Sequence, residues 1–168
     1  LGALCAPRRL EDFYGEVKDI PAIAFDFETT GLRHFHGDRA HCLALSDGIS
    51  AWYLECAGPA LPEELRELFS DTRKVFIAHG LKFDAHTLHE SFGVELAGAH
   101  HCTAITARIV YNDHVSYGLG ACLERIGFSK DDGAAKYIKE HSLTSKEEIP
   151  FKKEGRKLMH FDRIPVEV

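Results

Sequence analysis

The sequence predicts an α/β fold in which helices pack on a mixed central β-sheet. Two short apolar segments read as buried strands, a hairpin signal stands between them, and helical periodicity fills most of the remainder. Residues 22–27 (AIAFDF) are apolar apart from Asp26, the pattern of a buried strand. Segments 41–47 and 50–56 are short and β-prone, and Asp47-Gly48 between them is a strong hairpin turn. A helix is expected at 61–70, with Pro62 in its first turn and Leu61, Leu65, Leu68 and Phe69 at helical spacing. KVFIAHG at 74–80 is a second buried strand ending in Gly. Over 82–92 the pattern turns helical, Leu81, Ala85, Leu88 and Phe92 forming one apolar stripe that Gly93 ends. Three further helices are expected at 103–111, 118–126 and 131–141, separated by Asn112-Asp113 and Gly127, with Asp131 or Asp132 as N-cap of the last. The segment 150–163 is basic, with Lys152, Lys153, Arg156, Lys157 and Arg163 set against Glu154 and Asp162.

Composition bounds the function. The chain has 168 residues, 45% hydrophobic and 27% charged, and no repeat or Gly/Ser linker divides it, so one soluble domain spanning 1–168 is expected. No apolar run approaches the roughly 20 residues that a membrane span needs. The apolar start is followed by Pro7, Arg8 and Arg9, the reverse of a secretory signal, and the absence of an initial Met suggests a fragment. Five scattered cysteines (Cys5, Cys42, Cys56, Cys102 and Cys122) form no CxxC pair, which argues against a disulfide scaffold or zinc ribbon and for a reducing cytoplasm. The net charge of −6 argues against indiscriminate phosphate binding through a basic surface. It leaves nucleic acid open, because carboxylates meet phosphate through a bound cation.

Asp26 and Glu28 are two apart in a strand, so both leave one face while Phe25 and Phe27 pack on the other. Such a pair repels itself unless a cation or proton intervenes. Thr29, Thr30 and Gly31 break the strand, which places the pair at its carboxyl end, where α/β sheets put ligands. Taken alone, Asp-x-Glu is more often the solvated end of a strand. Asp84 lies just past the second buried strand, in the first turn of the next helix and beside its apolar stripe. Alone it is more often an acid favoured by the helix dipole. If the two strands are neighbours, all three carboxylates converge, and three hard oxygen ligands suit Mg²⁺ or Mn²⁺ rather than zinc.

FDFETTGL (25–32) resembles the first motif of the DEDD-type (DnaQ-like) 3′→5′ exonucleases, a superfamily that includes the proofreading domains of DNA polymerases. HGLKFDAHTL (79–88) resembles the second motif, and its LKFD stretch is especially similar to family A DNA polymerases of the polymerase I and phage type. SYGLGACLERIG (116–127) is similar to the SYxLxxLaxrxLG stretch of that family. The likeness covers residues 20–168, and the three motifs in this order are a strong signal.

The resemblance implies an RNase H-like fold and two-metal-ion hydrolysis of the 3′-terminal phosphodiester of single-stranded DNA. It implies a polymerase domain in the same polypeptide and the cytoplasm of a bacterial or phage-infected cell. Two divalent cations, Mg²⁺ or Mn²⁺, are implied as cofactors. Asp26 would bridge or bind them, Glu28 would hold the attacking water, and Asp84 would hold the second metal site, partly through water. Thr29 and Leu32 match positions that contact the terminal nucleotide, Leu32 by packing on its base, and His79 and Phe83 join them as substrate-binding candidates.

Two departures stand out. The family's second motif carries an Asn four residues before its Asp, where this chain has Gly80, so that polar contact is lost or supplied by His79. His79 reads equally well as a core histidine ending a strand. The family also needs a fourth Asp, preceded by Tyr at four residues or His at about five. After Asp84 the aspartates are Asp113, Asp131, Asp132 and Asp162, and neither spacing places Tyr or His before any of them. The tail FDRIPVEV resembles the stretch leading into that third motif, so the chain is expected to stop just short of it and to be catalytically impaired.

Other features carry less. His34, His36, His41 and Cys42, and separately His100, His101 and Cys102, fit no common zinc spacing and read as solvated loop residues. The basic run at 152–157 reads as a solvated face, with a DNA-backbone contact as the alternative. Tyr111, Tyr117 and Tyr137 read as packing residues. Against the editing nuclease stand a stand-alone exonuclease on DNA or RNA, a degenerate nucleic-acid-binding module, and a histidine-rich metal-storage protein.

Overall fold

A computed structural model describes residues 8–9, 14–56, 58–113, 116–130, 133–147 and 156–159. In chain order the sheet strands are β1 (Arg8–Arg9), β2 (Ala22–Thr29), β3 (Ala40–Ser46), β4 (Ala51–Glu55), β5 (Val75–Ala78) and β6 (Ala99–Cys102). The helices are α1 (Tyr14–Val17), α2 (Glu63–Ser70), α3 (Leu81–Phe92), α4 (Thr103–Val110), α5 (Leu119–Arg125) and α6 (Gly133–Glu140). The spatial order is β1-β4-β3-β2-β5-β6; β3 runs antiparallel to both its neighbours and the other pairings are parallel. A separate antiparallel pair joins β7 (Thr144–Glu147) to β8 (Arg156–Met159).

The two apolar segments at 22–29 and 75–78 are neighbours, in register from Ala22 opposite Val75 to Ala24 opposite Ile77. Alternation along β2 buries Ile23, Phe25 and Phe27 on one face. There Phe25 meets Phe69 of α2 at 5.4 Å and Phe76 of β5 at 6.1 Å, both edge-on, the arrangement aromatic quadrupoles favour. Leu88 and Phe92 of α3 close the same core. The opposite face of β2 carries Ala24, Asp26 and Glu28. The β3–β4 turn falls at Asp47-Gly48, where Gly48 has φ of 88° and Asp47 Oδ1 accepts from the N–H groups of Ile49 and Ser50.

Three differences from the sequence-based expectations have physical reasons. Pro62 is the N-cap of α2 rather than a first-turn residue. Ala99–Cys102 forms the edge strand β6 beside β5, although its His-His pair gives no alternating pattern; backbone pairing, not side-chain burial, makes the strand. Likewise β1, β7 and β8 are short and polar and left no periodic signal. The expected N-cap at Asp131 or Asp132 and the tail from His160 lie outside the described residues.

Candidate active site

The site begins where β2 and β5 part. Past Ala24 the β2 backbone has no β5 partner in register, and the freed N–H of Phe27 donates instead to Asp84 Oδ1 at 3.0 Å. One buried carboxylate thus stands in for a strand at the position between Asp26 and Glu28. Asp84 reaches it from the first turn of α3, which begins at Gly80 with φ of 96°. That left-handed backbone suits Gly, and although a Cβ there would meet nothing within 4 Å, a side chain such as the Asn of the family's motif would be strained at this φ.

The three carboxylates feel one another. Asp84 is almost fully buried; desolvation, opposed by the Phe27 N–H and reinforced by the charges of Asp26 and Glu28, raises its carboxyl to about 7. Asp26 and Glu28 open toward solvent, but the walls beside them thin their hydration. Desolvation raises Asp26 above the usual carboxylate range, while Lys130 and His79 pull it back. Desolvation raises Glu28 too, the charge of Asp26 adds to this, and Lys130 opposes it. Cys42, opposite Glu28 in the β2–β3 register, is pushed to about 11 by burial and by Glu28, Glu55 and Asp26, so it stays a neutral thiol.

This donor set fits a hard divalent cation in kind: carboxylate oxygens whose mutual repulsion a cation would relieve. The fit is one of donor type and charge, since among the described residues no three His, Cys, Asp or Glu side chains form a preformed metal cage.

The substrate-contact candidates separate. Thr29 is buried and its hydroxyl donates to Gly31 O at 2.6 Å, shaping the turn after Glu28. Leu32 stands 60% exposed on the loop that follows. That loop is tied across its neck: Thr30 N–H to Arg39 O at 3.0 Å, Arg39 N–H to Thr30 Oγ1 at 3.1 Å, and Arg33 N–H to Asp38 Oδ2 at 2.7 Å. A Cβ on Gly31 would sit 2.4 Å from Asp38 Oδ2 and would push that carboxylate away from the Arg33 N–H. Phe83, half-buried, lies in the first turn of α3 beside Asp84. His79 has both ring nitrogens engaged, Nδ1 with Thr103 Oγ1 and Nε2 with Tyr117 O, each at 2.9 Å. These bonds pin the end of β5 to α4 and to the segment entering α5, as a strand-ending core histidine would. Lys130, which the sequence did not single out, is the cation whose charge bears on both Asp26 and Glu28.

A mixed sheet in this order, flanked by helices and carrying acids at the carboxyl end of its central strand, defines the RNase H-like class of nuclease fold. The chain belongs to the 3′-5′ exonuclease family, whose model matches residues 6–144. A relative, DNA polymerase DpoZ of Salmonella phage PMBT28, is 28% identical over 132 residues, covering 77% of this chain and 19% of the polymerase. Brucella melitensis NrnC with bound Mg²⁺ superposes with a TM-score of 0.64 at 26% identity, over 74% of this chain and 60% of that one. Escherichia coli RNase D shares the fold, with a TM-score of 0.61 at 22% identity over 76% of this chain and 33% of that one. The chain thus spans about a fifth of the phage polymerase and three-fifths of NrnC. Among the described residues no helix is long and apolar enough to cross a membrane.

Proposed function

We propose that the chain is the proofreading 3′→5′ exonuclease domain of a DNA polymerase, with residues 1–168 forming one domain whose third motif follows Val168. The substrate is the 3′ end of single-stranded DNA, and the setting is the cytoplasm of a bacterial or phage-infected cell. The observation that carries the reading is the Phe27 N–H to Asp84 hydrogen bond, which brings the acids of two separate motifs to one end of β2. The similarity to a phage DNA polymerase supports the polymerase setting.

Asp26, Glu28 and Asp84 would hold two divalent cations, Mg²⁺ or Mn²⁺. When bound, the cations lower the pKa of water and stabilise the charge on the leaving oxygen. Asp26, on the open side of the sheet, would bind the cations, Glu28, at the next outward position, would orient the attacking water, and Asp84, anchored by the Phe27 N–H, would help hold the second metal site. Leu32, held out on its tied loop, packs on the terminal base; Thr29 shapes the turn that presents it, Phe83 flanks the terminal nucleotide, and His79 holds the end of β5 in place through Thr103 and Tyr117.

The similarity to NrnC, one structure of which is bound to pGG, favours a second reading, a stand-alone exonuclease on DNA or RNA. The test is degradation of a 5′-labelled single-stranded oligonucleotide with Mn²⁺ by this chain and by the polypeptide continued past Val168. Stepwise 3′ shortening by the continued polypeptide, abolished by Asp26→Ala, is expected. No shortening by either would overturn the reading and leave a degenerate binding module.

A further inference from the structure

The ring of Tyr117 is shared by two guanidinium groups. The Cζ of Arg125, on α5, lies 5.8 Å from its centroid, and the Cζ of Arg108, on α4, lies 5.5 Å from it. Packing accounts for Arg125. Its Cζ also stands 5.2 Å from the Tyr111 ring centroid, and its Nη2 donates to Ser116 O at 3.0 Å. The Tyr117 hydroxyl closes the stack by donating to Tyr111 O at 2.8 Å. Packing does not account for Arg108, which is exposed and brings a second positive charge to a ring that already holds one. Among the described residues neither guanidinium forms an ion pair, and Arg125 Nη1 is buried without a hydrogen-bond partner. Two neighbouring cations with no carboxylate paired to either, one of them with a dehydrated and unpaired amino group, carry a charge that an anion would neutralise.

The stack is joined to the wall of the site. Tyr117 O is bonded to His79 Nε2 at 2.9 Å, and His79 lines a hollow of about 360 Å³ together with Asp26 and Leu119. We propose that Arg108 and Arg125 bind a phosphodiester of the DNA strand upstream of its 3′-terminal linkage. This rests on the nuclease reading given above. Arg108 offers its open fork to the phosphate oxygens, while Arg125, fixed by Ser116 and two tyrosine rings, adds a second charge already in position. The chain carries a net charge of −6 and presents three carboxylates to an anionic strand, so cations set apart from the metal ligands have a specific task. Tyr111 and Leu119, 40% and 41% exposed, border the pair and give the bases apolar surface on which to lie. The strand therefore leaves the acids along the wall formed by His79 and Leu119 and passes over α4.

The test is fluorescence anisotropy of the full chain with a 5′-fluorescein-labelled oligothymidylate in Ca²⁺, repeated over a series of KCl concentrations. In a second oligothymidylate, uncharged methylphosphonates replace every linkage except the 3′-terminal one. Arg108→Gln keeps most of the stem and removes the charge. It is expected to weaken binding of the natural strand about fivefold and to make the slope of log affinity against log salt shallower by about 0.7, the share of one phosphate on a single strand. Arg108→Lys is expected to retain most of the affinity and the wild-type slope. Arg73→Ala, just before β5 and bridged to Asp71, is expected to have no effect. With the methylphosphonate strand, wild type and Arg108→Gln are expected to bind alike. Unchanged affinity for the natural strand, weakening with an unchanged salt slope, or equal weakening of both strands overturns the assignment and leaves the nuclease reading intact. A folded wild type that binds neither strand overturns both.

Discussion

Replacing Asp84 by Asn removes a charge from the most buried part of the site and leaves an acceptor for Phe27. The residue is 1% exposed, and desolvation, reinforced by Asp26 and Glu28, raises its carboxyl to about 7 from an ordinary 3.8. A carboxyl raised in the fold holds its proton more tightly folded than unfolded. Its contribution to stability is therefore greatest below the unfolded value and declines as pH rises to the folded value. At ~1.4 kcal/mol for each pH unit, the metal-free protein loses on the order of 4 kcal/mol across that window. About 2.5 kcal/mol of this falls between pH 5 and pH 8. Asp26 and Glu28, also raised, bend the curve the same way. Asn has no charge to desolvate, and its Oδ1 can accept from Phe27 N–H in place of the carboxylate. In EDTA, Asp84→Asn is expected to be more stable than wild type, with a gain about 2.5 kcal/mol larger at pH 8 than at pH 5. The stabilisation that Mg²⁺ gives wild type at pH 8 is expected to vanish in the variant. Urea unfolding followed by circular dichroism at both pH values measures the first, and the same curves with Mg²⁺ measure the second. A variant less stable than wild type at pH 8, or a gain independent of pH, would refute the reasoning.

Two further substitutions separate framework from site. Lys74 is buried, and its ammonium donates to Ile20 O at 2.6 Å and to Lys18 O, fastening the segment after α1 to the start of β5. Lys74→Ala is expected to cost about 2–3 kcal/mol in urea unfolding while oligonucleotide affinity stays unchanged; unaltered stability would show that water replaces the ammonium. His79→Phe removes both ring-nitrogen bonds and is expected to cost about 1–2 kcal/mol. Weaker DNA binding with an unchanged unfolding midpoint would assign His79 to the substrate instead.

What the sequence disclosed about the site follows from periodicity. Asp26 and Glu28 were legible because strand alternation assigns Phe25, Phe27 and the two acids to opposite faces without any tertiary information. The adjacency of β2 and β5, and with it the approach of Asp84, was legible only as a condition. Its realisation depends on the strands parting after Ala24, which no residue in 22–29 announces. Lys130 was invisible because no periodic pattern points to the residue whose charge bears on both acids. β6 escaped because an edge strand needs only backbone partners. Gly80 was read as a lost Asn; the structure adds that the position itself has a left-handed backbone, so the departure is compatible with an unchanged turn.

The site's energetics run against the fold that carries it. Three carboxyls are raised because the protein partly dehydrates them before any cation arrives, and such groups destabilise the metal-free chain progressively as pH rises above the ordinary carboxylate range. The aromatic cluster on the other face of β2 supplies the opposing term. Phe25 and Phe27 are almost wholly buried against Phe69, Phe76 and Phe92, one residue away from each acid. Burial of large aromatic side chains contributes roughly 1.5–3 kcal/mol apiece, enough to hold the strand in place while its polar face stays strained. Alternation along one strand thus couples the stabilising face rigidly to the reactive one. A cation binding at Asp26 would then relieve repulsion without having to order the backbone beneath it.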